Sequence, residues 1–162
     1  MAPMRELQRR YAAWLKAEVY TPQIVVNGKR EFVGSEEGTL RSAIQTGLQQ
    51  ADNSGLLVSD VHIDHDMLSV QYKTKGGNAL MIAFVQKAAT SQVKHGENGG
   101  KTLQHINIVK ALNTVALHQP AGIATVHLPD DYNRQTWDII GFTQNTNTGG
   151  VLSAQKITIP GV

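Results

Sequence analysis

The sequence places imidazole and carboxylate side chains close together at residues 62–66, which read His-Ile-Asp-His-Asp. Both groups are ligands for divalent metals. On a β-strand, His62, Asp64 and Asp66 would share one face, and a turn would let His65 join them. The spacing is not that of a recognised motif such as His-Glu-x-x-His. Two interpretations are open: a metal site, or a polar strand face that ends in an Asp-containing turn.

A glycine-rich segment is the second candidate for chemistry. Consecutive glycines allow backbone N–H groups to converge on an anion, and a lysine adds positive charge. A glutamate within the segment would repel an anion, and the spacing of a phosphate-binding P-loop is absent. The alternative is a long hairpin connection whose glycines adopt positive φ. The residues are His95, Gly96, Glu97, Asn98, Gly99, Gly100 and Lys101.

Composition excludes several other functions. The chain has 162 residues and no cysteine, so disulfides, thiolate-bound zinc, iron–sulfur clusters and thiol catalysis are excluded. No Gly-x-Ser-x-Gly element marks a serine hydrolase, and no cofactor motif is present. The net charge of +2 is too small to indicate nucleic-acid binding. No apolar run approaches the roughly 20 residues of a membrane span, and no secretory signal is visible, so the chain as written is expected in the cytoplasm.

Two kinds of structure would position these candidate residues: helices around a hairpin in the first part of the chain, and strands in the second. Apolar residues recur at helical spacing over 4–17, and Thr21-Pro22 ends that helix. Residues 23–26 and 30–33 are expected to form a hairpin around Asn27-Gly28, and a second helix should extend from Ser35 to about Ala51. From residue 56 the hydrophobic period changes to two, and short strands separated by turn signals predict an antiparallel β-sandwich. The predicted fold class is α+β, with one unit at 1–53 and another at 56–162.

Several segments together support a resemblance to a known family. The chain resembles an exported bacterial family catalogued as the domain of unknown function 1223. Members of that family resemble a thioredoxin-like domain joined to a β-rich domain. The segments that carry the resemblance are Gln8-Arg9-Arg10-Tyr11, Val19 through Gly28, Glu31-Phe32-Val33-Gly34-Ser35 and Gly96 through Leu103.

The resemblance implies that residues 1–53 are the C-terminal α-β-β-α half of a thioredoxin-like domain. It further implies a cis-proline at Pro22 and a substrate or partner groove lined by Thr21 and Pro22. The alternative is a purely structural turn. Relatives usually carry a Cys-x-x-Cys segment near the N-terminus, and this sequence has no counterpart to it. It is therefore expected to begin inside the family pattern, which leaves the hairpin with an unpaired edge.

The favoured function is a non-enzymatic binding or assembly module that forms a homo-oligomer through its incomplete thioredoxin-like half. One alternative is a thiol–disulfide oxidoreductase-like protein whose redox segment is missing. Another is a β-sandwich that binds a small ligand or a metal. The alternative explanation of the missing half is a fragment of a longer protein whose partial first domain is loosely ordered. By resemblance, relatives would be periplasmic or secreted.

Overall fold

The computed structural model describes residues 2–50, 55–92 and 102–160. Two helices and nine strands lie in these ranges, which makes the protein an α+β chain as predicted. The helices are α1 (Ala2–Trp14) and α2 (Glu37–Gln50). The strands are β1 (Gln23–Val26), β2 (Arg30–Val33), β3 (Leu56–Asp64), β4 (Met67–Thr74), β5 (Ala79–Gln92), β6 (Thr102–Ala116), β7 (Ala121–His127), β8 (Trp137–Gln144) and β9 (Val151–Ile157).

The strands form three antiparallel sheets. β1 and β2 make a two-stranded hairpin, β3-β4-β7 is a three-stranded sheet, and β6-β5-β8-β9 is a four-stranded sheet. The two larger sheets share one apolar core, to which both contribute fully buried side chains such as Leu68 and Val70 from β4 and Leu80, Ile82 and Phe84 from β5. Alternation of inward apolar and outward polar residues, the signal read in the sequence, places these side chains in that core.

The helix α1 ends earlier than its hydrophobic pattern suggested. It stops at Trp14, because Lys16 has a φ of 55° and turns the chain into the left-handed region. The amide of Ala17 then donates a hydrogen bond of 2.8 Å to the carbonyl of Ala12, which satisfies one of the last helical acceptors. A connection of eight residues therefore separates α1 from β1, and Thr21-Pro22 lies at its end.

The hairpin turn follows the predicted chemistry. Asn27 and Gly28 have φ values of 54° and 65°, which asparagine and glycine tolerate best. The amide of Lys29 donates to the carbonyl of Val26 at 3.0 Å, and Val26 pairs with Arg30. The turn thus holds residues 27–29 between its paired ends, and both strands have the predicted bounds.

The two helices contact opposite faces of this hairpin. On one face, α1 reaches β1 through a 2.8 Å hydrogen bond from Gln8 Nε2 to Gln23 Oε1. On the other face, α2 approaches closely at Gly47. A Cβ there would lie 2.9 Å from the side-chain Nδ2 of Asn27 and 4.0 Å from a side-chain carbon of Val26. We refer to residues 2–50 as the helix–hairpin–helix unit. The proposed division of the chain at residues 53–56 stays a prediction.

Candidate functional site

The connection before β1 brings Thr21 and Pro22 to the surface of the unit. The Thr21–Pro22 peptide bond is cis, the isomer that the family resemblance implied, and both residues are exposed. The carbonyl of Pro22 accepts a hydrogen bond of 2.9 Å from the amide of Gly34, just beyond β2. A Cβ at Gly34 would lie 3.0 Å from that of Pro22, so a small residue is required for this approach. The turn is therefore fixed to the hairpin while its outer side faces solvent.

A network of polar side chains supports the turn from behind. Gln8 Nε2 donates to the carbonyl of Tyr20 at 2.8 Å in addition to its bond with Gln23. Gln23 Nε2 in turn donates to the carbonyl of Glu18 at 3.2 Å and to Glu31 Oε2 at 3.1 Å. The phenol of Tyr20 donates to the same carboxylate oxygen of Glu31. These bonds link α1, the connection and both strands of the hairpin, so the position of the turn is set by four segments at once.

The electrostatics of this network favour a protonated phenol. The hydrogen bond to Glu31, together with desolvation and the charge of that carboxylate, raises the pKa of Tyr20 to about 12. The phenol is therefore a hydrogen-bond donor at neutral pH and not a base. The network therefore holds the exposed Thr21-Pro22 turn in a fixed position at the surface.

Exposed apolar side chains accumulate in the same unit. Ile44 and Leu48 on α2 are 44% and 72% exposed, although they lie at helical spacing with the apolar residues Leu40 and Ala43. Within the described residues only Ala43 of that helix is buried. Ile44 and Leu48 lie one helical turn apart and form an apolar stripe. Val19, in the connection before β1, and Val33, the last residue of β2, are also exposed.

The unit is anchored to the larger sheets by a junction that sequence reasoning missed. Tyr11 and Trp14 form an edge-to-face pair with ring centroids 5.3 Å apart, and Trp14 Nε1 donates to the carbonyl of Thr146 at 3.1 Å. Gly149 packs under the indole so tightly that a Cβ would lie 2.5 Å from it. Thr146 lies 132 positions away from Trp14, so no local pattern could identify it.

The Asn27-Gly28 turn of the hairpin contacts the loop between β8 and β9, which carries Thr146 and Gly149. Gly28 is buried, and a Cβ there would lie 1.8 Å from the carbonyl oxygen of Gly149. The amide of Val151 donates to the carbonyl of Asn27 at 2.8 Å. Gln144 Nε2 donates both to the Tyr11 hydroxyl at 2.8 Å and to the Gly149 carbonyl at 2.9 Å. Gly28, Gly149 and the buried side-chain amide of Gln144 therefore form the junction.

The structure does not assemble the metal-ligand set suggested by residues 62–66. His62 Nδ1 lies 3.2 Å from the carbonyl of Asp60, at a bulge in β3 where Asp60 has a φ of 49°. His65 pairs with its neighbour Asp64 at 2.7 Å, whereas Asp66 pairs with His127 of β7 at 3.5 Å. Among the described residues, no three His, Asp or Glu side chains are grouped so that they could hold a metal. The bulge and the turn divide the cluster into separate exposed pairs.

The glycine-rich segment of residues 95–101 lies outside the described residues. β5 and β6, which lead to it, pair from Ala79–Ala116 out to Gln92–Thr102. Within the described ranges, neither helix is long and apolar enough to cross a membrane.

Comparisons with known proteins address the chain as a whole. A family model described as "Protein of unknown function (DUF1223)" matches residues 2–144. A crystal structure of a protein from Agrobacterium tumefaciens is similar, with a TM-score of 0.72, an identity of 15%, and coverage of 100% of this chain and 72% of that chain. At that identity the likeness shows the fold alone. No curated protein matches the sequence.

Proposed function

Because this chain belongs to the DUF1223 family of proteins of unknown function, we propose that it is a non-enzymatic assembly module that binds a second copy of itself. The interaction surface is the helix–hairpin–helix unit, and the second copy adds its own β1 to the edge of β1 that faces away from β2. One observation supports this proposal above others: within the described residues, β1 pairs with β2 and with no other strand.

The physical argument rests on strand number and on symmetry. A hairpin is stabilised by packing against helices, as here, and additional strands on its edge would stabilise it further. Two copies related by a two-fold axis at β1 would form a four-stranded sheet in which each surface is its own partner. The β1 sequence Gln-Ile-Val-Val is suitable, because β-branched residues pack well on a pleated surface. An unpaired edge of this kind is a common site of strand addition.

The exposed side chains of α2 give the proposed assembly its hydrophobic contribution. The stripe formed by Ile44 and Leu48 lies on the helix that packs on one face of the hairpin, and the proposal places the second copy against it. Full burial of one leucine side chain is worth about 1.5–3 kcal/mol. Burial of the stripe on both copies would therefore stabilise a dimer substantially beyond its backbone hydrogen bonds.

The proposal also includes a finer assignment of fold and origin. We take the helix–hairpin–helix unit as the second half of a thioredoxin-like domain, and the family as exported bacterial proteins. In such a domain the central strands lie beside the strand that follows the cis-proline, so the second copy would occupy their place. The exposed Thr21-Pro22 turn would then border the assembled sheet and contribute to its groove.

Light scattering of the purified chain over a range of concentrations tests the proposal. We expect the mass to rise from monomer to dimer with concentration, and backbone hydrogen exchange in 23–26 to slow as it does. Leu48→Glu should weaken dimerisation about tenfold or more, because it places a charge in the buried stripe. Leu57→Glu is the matched control, since Leu57 is 56% exposed on β3, outside the unit.

A mass that stays monomeric at every concentration would contradict the proposal. Dimerisation without a change in the exchange of 23–26 would place the interface elsewhere. An equal loss of dimer in both leucine variants would show that the α2 stripe has no specific part in assembly.

A further inference from the structure

A cationic cavity lies at the other end of the four-stranded sheet, away from the helix–hairpin–helix unit. Its volume is about 200 Å³, and β5, β8, β9 and the loop before β8 line it. Lys87, Arg134 and Lys156 bring three positive charges to it, and Asp138 brings one negative charge. Three cations against one carboxylate leave two positive charges in surplus. From this arrangement we infer that the cavity binds a small molecule carrying an oxyanion, a phosphate or carboxylate group attached to an apolar body.

The sheet register places the two lysines around one carboxylate oxygen. Asp138 pairs with Val85 of β5, while Ile140 pairs with Lys156 of β9, so Lys156 is a diagonal neighbour of Asp138. The ammonium nitrogens of Lys87 and Lys156 lie 3.5 and 3.2 Å from Asp138 Oδ1. Each ammonium has three N–H donors, and among the described residues each has this single acceptor. Donors are therefore left on both sides of Asp138 for an incoming oxyanion.

Arg134 is held over the same cavity by its loop. The side chain of Asn133 accepts hydrogen bonds from the amides of Gln135 and Thr136 at 2.8 and 3.3 Å, which fixes the turn. Arg134 Nη2 donates to the carbonyl of Ile159 at 3.0 Å and to that of Pro160. These partners are neutral, so they orient the guanidinium without cancelling its charge. A planar guanidinium so oriented is suited to carboxylate and phosphate groups, which it binds with paired N–H donors.

Aromatic and aliphatic side chains, together with Thr158, complete the lining of the cavity. Tyr132 stands edge-to-face to both Trp137 and Phe84, with centroid separations of 5.8 and 5.9 Å. This packing leaves Tyr132 half-buried and directs an aromatic surface toward the charged groups. Low-polarity walls strengthen charge interactions beside them. An oxyanion with an aromatic or aliphatic body would contact both the charged groups and the aromatic side chains of the cavity. A free inorganic ion would contact only the charged groups.

Calorimetric titration at low ionic strength tests the inference with four probes: phenyl phosphate, benzoate, inorganic phosphate and neutral benzyl alcohol. We expect saturable binding of phenyl phosphate or benzoate, tighter than that of inorganic phosphate and weakened by salt. The stronger of the two aromatic anions identifies the group as phosphate or carboxylate. Benzyl alcohol binding as well as the anions would overturn the inference, and so would the absence of saturable binding by any anion.

Variants expected to change anion affinity in opposite directions distinguish recognition of charge from a general loss of structure. Lys156→Gln should weaken binding about tenfold, through loss of a charge-assisted hydrogen bond. Asp138→Asn keeps the side-chain shape, removes the one negative charge and should strengthen binding. Lys73→Gln on β4 is the control with the same change in net charge, because Lys73 is exposed outside the cavity. Equal effects of Lys73→Gln and Lys156→Gln, or weaker binding in Asp138→Asn, would contradict the assignment.

Discussion

The junction between the hairpin turn and residues 145–150 allows a quantitative test with one methyl group. Gly28→Ala introduces a Cβ that would lie 1.8 Å from the carbonyl oxygen of Gly149 and 2.7 Å from its carbon. Those atoms belong to the backbone, so no side-chain rotation can relieve the overlap. The hairpin must instead withdraw from the loop, and the 2.8 Å hydrogen bond from the Val151 amide to the Asn27 carbonyl would be stretched or lost.

The expected loss of stability combines three contributions. Gly28 has a φ of 65°, and a non-glycine residue in the left-handed region costs about 1 kcal/mol. Overpacking at a site of this kind typically costs about 1–3 kcal/mol, and one lost backbone hydrogen bond about 1 kcal/mol. We therefore expect Gly28→Ala to lower the free energy of unfolding by about 3–5 kcal/mol.

Gly38→Ala is the control, because it is the same substitution in an unobstructed environment. Gly38 lies in the first turn of α2, and a Cβ there would have no atom within 4 Å. Alanine is favoured over glycine in a helix by about 0.5–1 kcal/mol, so this variant should be more stable than the parent chain. One methyl group thus has opposite effects at two glycines ten residues apart.

Urea denaturation followed by circular dichroism measures both changes, and hydrogen exchange at the Val151 amide reports on the junction directly. We expect the protection of that amide to fall in Gly28→Ala and to be retained in Gly38→Ala. If Gly28→Ala loses less than about 1 kcal/mol and Val151 stays protected, the close contact with Gly149 is refuted, since strain in the turn alone accounts for about that much.

Two further predictions concern polar contacts of the same unit. The pKa of Tyr20 is raised to about 12, above its ordinary value of 10.0, so folding favours the protonated phenol. The contribution of this phenol to stability is present below pH 10 and is lost as pH rises through about 12. A spectrophotometric tyrosine titration in which Tyr20→Phe removes no group titrating near 12 would contradict this prediction. Gln144→Ala leaves the buried Gly149 carbonyl without its side-chain donor and should destabilise the chain by about 2 kcal/mol in urea denaturation. The exposed Gln71→Ala should stay within about 0.5 kcal/mol, and equal effects of the two glutamine variants would remove the junction from the explanation.

Local chemistry explains why much of the fold was predictable. Asn27-Gly28 predicted positive φ at both positions because few other residues tolerate that conformation, and the structure has it. The alternating pattern of Leu68 and Val70 predicted their strand and inward orientation, because strand geometry repeats every two residues. These features depend on neighbours within a few positions.

Features that depend on contacts between residues far apart in the sequence were not predicted correctly. The cluster at 62–66 looked like a ligand set, but a bulge at Asp60 and a pairing with His127 separate its members. The cationic cavity could not be found from sequence at all, because Lys87, Arg134 and Lys156 are spread over 70 positions and meet only through strand register. Ile44 and Leu48 lie on the apolar side of an amphipathic pattern, yet they are 44% and 72% exposed.

The sequence by itself determined the absence of thiol chemistry, the helix–hairpin–helix order, the change to strands after residue 55 and membership of a family recognisable by its motifs. Each depends on composition or on short-range periodicity, which is a property of the chain before it folds. Only the tertiary structure decided which surfaces are buried, how the hairpin meets Gly149 and where charges gather. The physical reason is that packing and Coulomb interactions depend on separation in space, and folding brings together residues that the chain keeps more than 100 positions apart.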